Sequence, residues 1–155
     1  MPNSNIRTIS LGLFRRDDAI LVFVDHDSVK CDHFCRPLGG GVEFGERAEA
    51  ALAREIREEL GQEIENVRLF AVLENVFTYE GRPSHEIVFV FDADFVDEAI
   101  YQKEILAFYE EAMSASFTAR WMTLEQIEAE NVRLVPEALR ELLTREYEST
   151  ANLAE

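Results

Sequence analysis

Apolar residues in the first part of the chain fall into short runs that are separated by polar turns. Residues 6–14 and residues 19–24 are two such runs, and Asp17–Asp18 between them is typical of a turn. Short apolar runs bounded by turn residues predict strands. The pattern therefore predicts a hairpin made of these two strands, followed by a polar loop over residues 25–32.

A longer pair of apolar runs follows in the middle of the chain. Residues 67–79 and residues 86–95 predict two strands, because valine, phenylalanine and isoleucine are frequent in both. A Glu-Gly-Arg-Pro turn over residues 80–83 separates them. We expect the two strands to pair in antiparallel fashion around that turn.

The clearest helix signal precedes these strands. Leu52, Ile56 and Leu60 recur at every fourth position of residues 47–60, which places them in one apolar row along a helix. Gly61 ends the pattern, since glycine readily adopts the left-handed conformation that terminates a helix.

Three consecutive glycines, Gly39–Gly41, come just before this helix. Glycine costs extra backbone entropy in regular structure, so the run indicates a tight turn or a backbone that approaches another group closely. It predicts an irregular loop that leads into the helix.

The last part of the chain combines patterns that are typical of helices with patterns that are typical of strands. Residues 99–113 fit either a helix or an ordered loop, and residues 117–122 predict a strand. A capping box over residues 123–126 predicts a short helix, and Pro136 is typical of the first turn of a last helix. Residues 149–155 are predicted to be a frayed tail.

A second row of side chains on the central helix is acidic. Glu55, Glu58 and Glu59 lie on one side of the helix, because they are three and four positions apart. Such carboxylates repel by roughly 0.2–0.5 kcal/mol per pair, and the last turn of a helix disfavours negative charge. A solvated acidic face is the common interpretation of such a row. Its local cost beside the glycine run favours a divalent cation site instead, since Mg²⁺ prefers oxygen ligands.

Composition narrows the class of partner. The length of 155 residues suits one domain, so residues 1–155 are predicted to form a single domain. With 15 basic and 31 acidic residues the net charge is −16, so we expect neither nucleic acid nor an anionic membrane surface as a partner. The sequence shows no long apolar segment and no secretion signal, which predicts a cytoplasmic location.

The two cysteines of the sequence, Cys31 and Cys35, flank His33. A structural zinc site needs about four ligands, and no second cluster of ligand residues accompanies these three. We therefore interpret both cysteines as reduced thiols.

Residues 40–62 resemble the Nudix box. That motif has a glycine, a glutamate, an Arg-Glu pair, a Glu-Glu pair and a closing glycine at fixed spacing. The matching residues are Gly40, Glu46, Arg54, Glu55, Ile56, Glu58, Glu59 and Gly61. The sequence departs from the motif at its last position, where Gln62 replaces an apolar residue.

The resemblance implies an α/β fold, in which a central mixed sheet lies between helices as an α/β/α sandwich. It also implies a hydrolase that uses Mg²⁺ or Mn²⁺ to cleave a pyrophosphate bond in a nucleoside diphosphate linked to another moiety. The expected partner is thus a small nucleotide-type diphosphate, and a homodimer is a further expectation from the family.

By this resemblance Glu55, Glu58 and Glu59 are the candidate metal ligands, together with the main-chain carbonyl of Gly39. Glu55 is alternatively the base that deprotonates the attacking water. The resemblance also implies a supporting ion pair between Arg54 and Glu46 and a supporting role for Gly40. A further carboxylate from outside the box often joins the metals, and the candidates are Glu86, Glu104, Glu110 and Glu111.

The box leaves the substrate open. The downstream patterns of the ADP-ribose and NADH subfamilies are absent, whereas Tyr79 occupies a position that resembles the diadenosine polyphosphate type. Tyr79 and Phe77 are therefore candidate surfaces for a base. Two alternatives remain, a Nudix-fold module that binds a nucleotide or sugar nucleotide without cleaving it, and an isomerase of prenyl diphosphates that uses Cys35.

Overall fold

Strands make up most of this computed structural model, which describes residues 4–110 and 113–154. They are β1 (Arg7–Leu13), β2 (Arg15–Arg16), β3 (Ala19–Asp27), β4 (Asp32–Gly41), β5 (Ile64–Tyr79), β6 (Arg82–Phe95), β7 (Ile105–Glu110), β8 (Ala115–Thr123) and β9 (Arg133–Leu134). The helices are α1 (Ala48–Leu60), α2 (Leu124–Ala129) and α3 (Glu137–Leu153), with a 3₁₀ helix at Glu98–Gln102.

The strands form a mixed sheet in the order β5-β6-β1-β4-β3-β8-β7, with β2 beside β3 and β9 beside β4. The pairs β1–β6 and β4–β9 are parallel, and neighbouring pairs such as β1–β4 and β3–β4 are antiparallel. β4 is central, because it pairs with β1 along its second half and with β3 along its first half.

The two faces of the sheet carry separate cores. Leu21 and Phe23 of β3 belong to one core, and Ile20 and Val22 belong to the other, as the period of two along a strand requires. The helices supply buried side chains to different cores, Leu52 and Ile56 from α1 to the first, and Leu139 and Leu143 from α3 to the second. The expected α/β/α sandwich with a mixed sheet is confirmed.

The predicted hairpin between the first two apolar runs is wrong. β1 pairs with β4 and β6, and it is the short β2 that pairs with β3 across Asp17–Asp18. β1 lies in the middle of the sheet and is buried on both faces from Ile9 onwards. A strand of this kind is largely apolar on both faces, so its pattern does not indicate which strand lies beside it.

The glycine run continues a strand, so the prediction of an irregular loop there is wrong. β4 extends through Gly41, and the polar loop before it is limited to residues 28–31. The expected close approach is nevertheless present. Gly39 has a φ of 150°, and a Cβ at this position would lie 2.0 Å from the carbonyl oxygen of Ser10 on β1.

Residues 105–110 form β7, so neither a helix nor a loop describes that part of the chain. Leu106 and Phe108 are buried, whereas Ile105 and Tyr109 beside them are exposed. This alternation belongs to a strand, and pairing with β8 satisfies its backbone. Residues 111 and 112 lie outside the described residues.

The central helix, the long strand pair and the short capped helix follow the predictions. α1 ends at Gly61 in the left-handed conformation with a φ of 65°, β5 and β6 pair in antiparallel fashion, and Thr123 caps α2 in a capping box. α3 continues through Leu153, so the tail predicted to fray is helical up to that residue. In residues 4–110 and 113–154, every helix is too short or too polar to span a lipid bilayer.

Candidate active site

α1 is fixed to the sheet by its apolar row and by a hydrogen bond at its start. Leu52 and Ile56 are fully buried against the sheet, and the hydroxyl of the buried Ser10 donates to the carbonyl of Ala48 over 2.7 Å. The acidic row is therefore held at one side of the helix, next to the end of β4.

Gly40 lets the Glu55 carboxylate rest on the backbone of β4. A Cβ at this position would lie 2.3 Å from the Cδ of Glu55, whereas a Cβ at Gly41 would meet nothing within 4 Å. Of the three glycines, it is therefore Gly40 whose missing side chain leaves room for the Glu55 carboxylate.

Arg54 connects the acidic row to the loop before α1. Its Nε and one terminal nitrogen donate to both carboxylate oxygens of Glu46 over 2.8 and 3.0 Å, and the latter nitrogen also donates to the carbonyl of Gly41 over 2.9 Å. The other terminal nitrogen donates to Glu55 over 3.0 Å and to Glu58 over 3.2 Å. The guanidinium hydrogen bond holds the pKa of Glu46 well below its usual range. The ion pair that the resemblance implied is thus present.

Glu59 is the most buried carboxylate of the row. Only 8% of its surface is exposed, and neither carboxylate oxygen has a hydrogen-bond donor among the described residues. Burial raises the pKa of Glu59 to about 9, helped by a hydrogen bond with the Glu110 carboxyl that forms when one of the two is protonated and by the charges of Glu110 and Glu55, against the lowering effect of Arg36. Burial also raises the pKa of Glu55, against the hydrogen bond from Arg54.

Of the four carboxylates proposed to join the row, Glu110 lies beside it. Leu106, Phe108 and Glu110 share one face of β7, and this face packs towards α1. The Glu110 carboxylate is close enough to raise the pKa of both Glu59 and Glu55.

The other three candidates lie elsewhere or are not described. Glu86 is buried in β6 beside Arg7, and Glu104 is exposed and paired with Arg16. Glu111 lies outside the described residues.

The donor set fits a hard divalent cation. Every side chain in the cluster offers carboxylate oxygens, and the two Glu59 oxygens are buried without a donor among the described residues, a costly state that a cation relieves. The carboxylates are not arranged around a metal position in this structure, because Arg54 donates hydrogen bonds to Glu55 and Glu58. Across residues 4–110 and 113–154, no three His, Cys, Asp or Glu side chains are already gathered as a metal site.

Comparison with known proteins identifies the family. The sequence profile of the NUDIX domain matches residues 5–144. The chain belongs to the NUDIX domain family. This confirms the resemblance and the prediction of an enzyme, a Nudix-type pyrophosphohydrolase, and Nudix hydrolases generally use divalent metal ions and act on small nucleotide-type substrates.

Solved Nudix structures share the fold at low sequence identity. A MutT NUDIX hydrolase from Burkholderia pseudomallei superposes with a TM-score of 0.64 at 23% identity, over 90% of this chain and 97% of that chain. A NUDIX hydrolase from Nitrosomonas europaea gives 0.61 at 18% identity, over 94% and 90%. A protein described as UDP-X diphosphatase gives 0.59 at 17% identity, over 97% of this chain and 66% of that one.

The predicted base-binding residues lie at the hairpin tips of this Nudix domain. The Tyr79 ring packs edge-on against Phe34 with centroids 5.7 Å apart, and its hydroxyl lies 3.5 Å from Asp25. Phe77 is two residues earlier on the same face of β5, and both rings are half-buried. In the described part of the chain, the contacts of Tyr79 lead to the β3–β4 hairpin and not to α1.

The cysteines do not form a site with His33. Cys35 is buried in the core that includes α3, whereas Cys31 is exposed, and both are free thiols. Burial raises the pKa of Cys35 to about 12, so its thiol stays protonated at neutral pH. A reactive cysteine would need the opposite shift, which argues against the isomerase alternative.

Sequence reasoning missed Arg36, which lies beside the cluster. Its charge lowers the pKa of Glu59, and its side chain covers Phe23. Arg36 is four positions before Gly40 and therefore shares its face of β4. The sequence shows that Arg36 and Gly40 share a face only if the strand is taken to continue through the glycines.

The structure predicts that Gly40→Ala impairs the enzyme without unfolding it. The added methyl group must displace the Glu55 carboxylate, which is the flexible end of a side chain. We expect kcat/KM to fall by about 10- to 100-fold, as for other small displacements of catalytic groups, with little change in the thermal unfolding midpoint. Gly41→Ala is the matched control, and equal losses in both variants would contradict the prediction.

A second prediction concerns the pH dependence of stability in the metal-free protein. The folded state binds a proton on Glu59 up to about pH 9, whereas the unfolded chain releases it near the ordinary pKa of 4.5. The free energy of unfolding should therefore decrease as pH rises between these values. Urea unfolding with a chelator at several pH values measures it. Glu59→Gln should remove most of this slope, and an unchanged slope in that variant would refute the assignment.

Proposed function

We propose that this protein is a Mg²⁺- or Mn²⁺-dependent hydrolase that cleaves a pyrophosphate bond in a nucleoside diphosphate linked to another moiety. The observation that carries the proposal is the Glu59 carboxylate, buried without a hydrogen-bond donor among the described residues, inside a cluster of further carboxylates. Without a cation, this carboxyl group is tolerated only by keeping a proton up to about pH 9, and a divalent cation would take the place of that proton. The family membership supports the same reaction class.

We assign the metal ligands to Glu55, Glu58, Glu59 and Glu110, with the Gly39 carbonyl as a main-chain ligand. A bound divalent ion would neutralise charge on the phosphate oxygens and lower the pKa of the attacking water. Glu58 suits such a role because half of its side chain is exposed and its ion pair is with Arg54.

Glu55 is alternatively the base that receives a proton from the attacking water. Burial raises its pKa above the usual value, which makes the carboxylate a better proton acceptor. Arg54 donates to its Oε1, which leaves Oε2 as the oxygen that takes the proton. Glu46 holds Arg54 in place for this task through both of its carboxylate oxygens.

The nucleoside is proposed to lie towards Tyr79 and Phe77. Tyr79 packs on Phe34, which shares the face of β4 with Arg36 and Gly40, so the aromatic rings and the carboxylates lie on the same side of the sheet. The structural neighbour described as UDP-X diphosphatase is named for a nucleotide derivative, which agrees with this class of substrate. One domain over residues 1–155, a cytoplasmic location and a homodimer stay predictions.

The proposal predicts cleavage of at least one compound in a panel assayed with Mg²⁺ or Mn²⁺ and scored by product identity. The panel contains nucleoside triphosphates, ADP-ribose, dinucleoside polyphosphates, nucleotide sugars and NADH.

Glu59→Gln should lower kcat by at least about 100-fold, because a metal ion contributes several kcal/mol to such a transition state.

The matched control is Glu49→Gln, which removes an exposed carboxylate from the first turn of the same helix. This variant should behave like the wild type. Undiminished turnover of Glu59→Gln at saturating metal would refute the metal-site assignment. Tight binding of a panel member without cleavage by the wild type would favour the binding-only module.

A further inference from the structure

Arg36 lies on the face of the sheet that α1 covers. Side chains alternate along β4, so Phe34, Arg36 and Leu38 project to the same side. Leu38 packs in the core together with Leu52 of α1. Gly40, the next position on this face, supports the Glu55 carboxylate. The Arg36 side chain therefore points into the region next to the acidic cluster.

Within the described part of the chain, no carboxylate forms an ion pair with the guanidinium of Arg36, although its charge acts on Glu59. Its Nε is buried and has no hydrogen-bond partner among those residues. The other half-buried arginines of the described chain are each ion-paired with a carboxylate, namely Arg15, Arg16, Arg54, Arg120 and Arg133. A buried donor without an acceptor costs free energy, so this exception calls for an acceptor that arrives from solution.

The position of Arg36 is rigid. Its guanidinium carbon lies 5.3 Å from the centre of the Phe23 ring, which is its partner in the β3–β4 register. Phe23 is held in turn by Phe108 and Phe117, with ring centroids 5.4 and 5.8 Å away. A cation stacked on a fixed ring loses little freedom when it binds an anion, which favours a specific contact.

The charge of Arg36 reaches the acidic cluster. It lowers the pKa of Glu59, while both Glu59 oxygens and the Arg36 Nε stay without hydrogen-bond partners among the described residues. Arg36 and Glu59 thus lie in the same region of the fold, one with an unsatisfied donor and the other with unsatisfied acceptors of opposite charge. A metal–diphosphate complex carries both charges and would satisfy both groups.

We propose that Arg36 binds the diphosphate of the substrate. Its guanidinium donates hydrogen bonds to those non-bridging oxygens of the diphosphate that do not face the α1 carboxylates. This assignment rests on the proposed function. Arginine suits the role because its planar fork of donors matches phosphate geometry. In a chain with a net charge of −16, a cation at this place also lessens the repulsion between an incoming diphosphate and the glutamates.

The test measures binding of imidodiphosphate, a pyrophosphate analogue with a nitrogen bridge, in the presence of Mg²⁺ by calorimetry. Arg36→Gln should weaken binding by about tenfold or more, and Arg36→Lys, which keeps the charge but loses the fork, should lie between it and the wild type. Arg57→Gln, which removes an exposed arginine from the outer side of α1, is the matched control and should bind like the wild type.

Mn²⁺ binding without the analogue separates this role from a structural one. Arg36→Gln should bind Mn²⁺ at least as tightly as the wild type, because a neighbouring positive charge is removed. For any substrate that is cleaved, KM should rise about tenfold or more while kcat changes little. A structural role would instead lower the unfolding midpoint and weaken Mn²⁺ and imidodiphosphate binding together, and that result overturns the proposal.

Equal imidodiphosphate affinity in Arg36→Gln and the wild type, or no binding by the wild type, also overturns it. Because binding needs no turnover, this result is independent of the proposed reaction. A wild-type protein that binds the analogue through Arg36 but cleaves no panel member contradicts only the hydrolase assignment.

Discussion

The structure depends on repulsion between carboxylates that are held close together, with Glu59 among them buried away from water. Glu55, Glu58 and Glu59 share one side of α1, and Glu110 faces them from the end of β7. Burial is the main reason why the pKa values of Glu59 and Glu55 are raised, and the charges of neighbouring carboxylates add to it. A sequence under selection for stability alone would place apolar or paired residues here, so the arrangement is typical of a functional site.

The rest of the fold holds this unfavourable cluster in place. Leu52 and Ile56 fix α1 to the sheet, Gly40 leaves room for the Glu55 carboxylate, and Arg54 ties two glutamates of the helix to Glu46. The stabilising contacts lie on the sides of the cluster, while the Glu59 oxygens at its centre have no donor among the described residues. That is the arrangement expected when the missing partner is a cation.

The sequence predicted α1 and the residues on its acidic side because both depend on spacing within one helix. It could not select Glu110 among four candidates, because that choice depends on the pairing of β8 with the distant strand β3, which brings the β7–β8 hairpin beside α1. Arg36 was missed for a related reason, since the glycine run was interpreted as irregular although β4 continues through it. The substrate is not fixed by the fold, which the solved relatives share at 17–23% identity.

The most direct test of the metal site is a crystal structure of the protein with Mn²⁺, in which anomalous scattering locates the ion. We predict an anomalous peak in direct contact with a Glu59 carboxylate oxygen, with Arg54 no longer holding both Glu55 and Glu58. A fully occupied Mn²⁺ site elsewhere, with the Glu59 oxygens still unligated, would contradict this assignment.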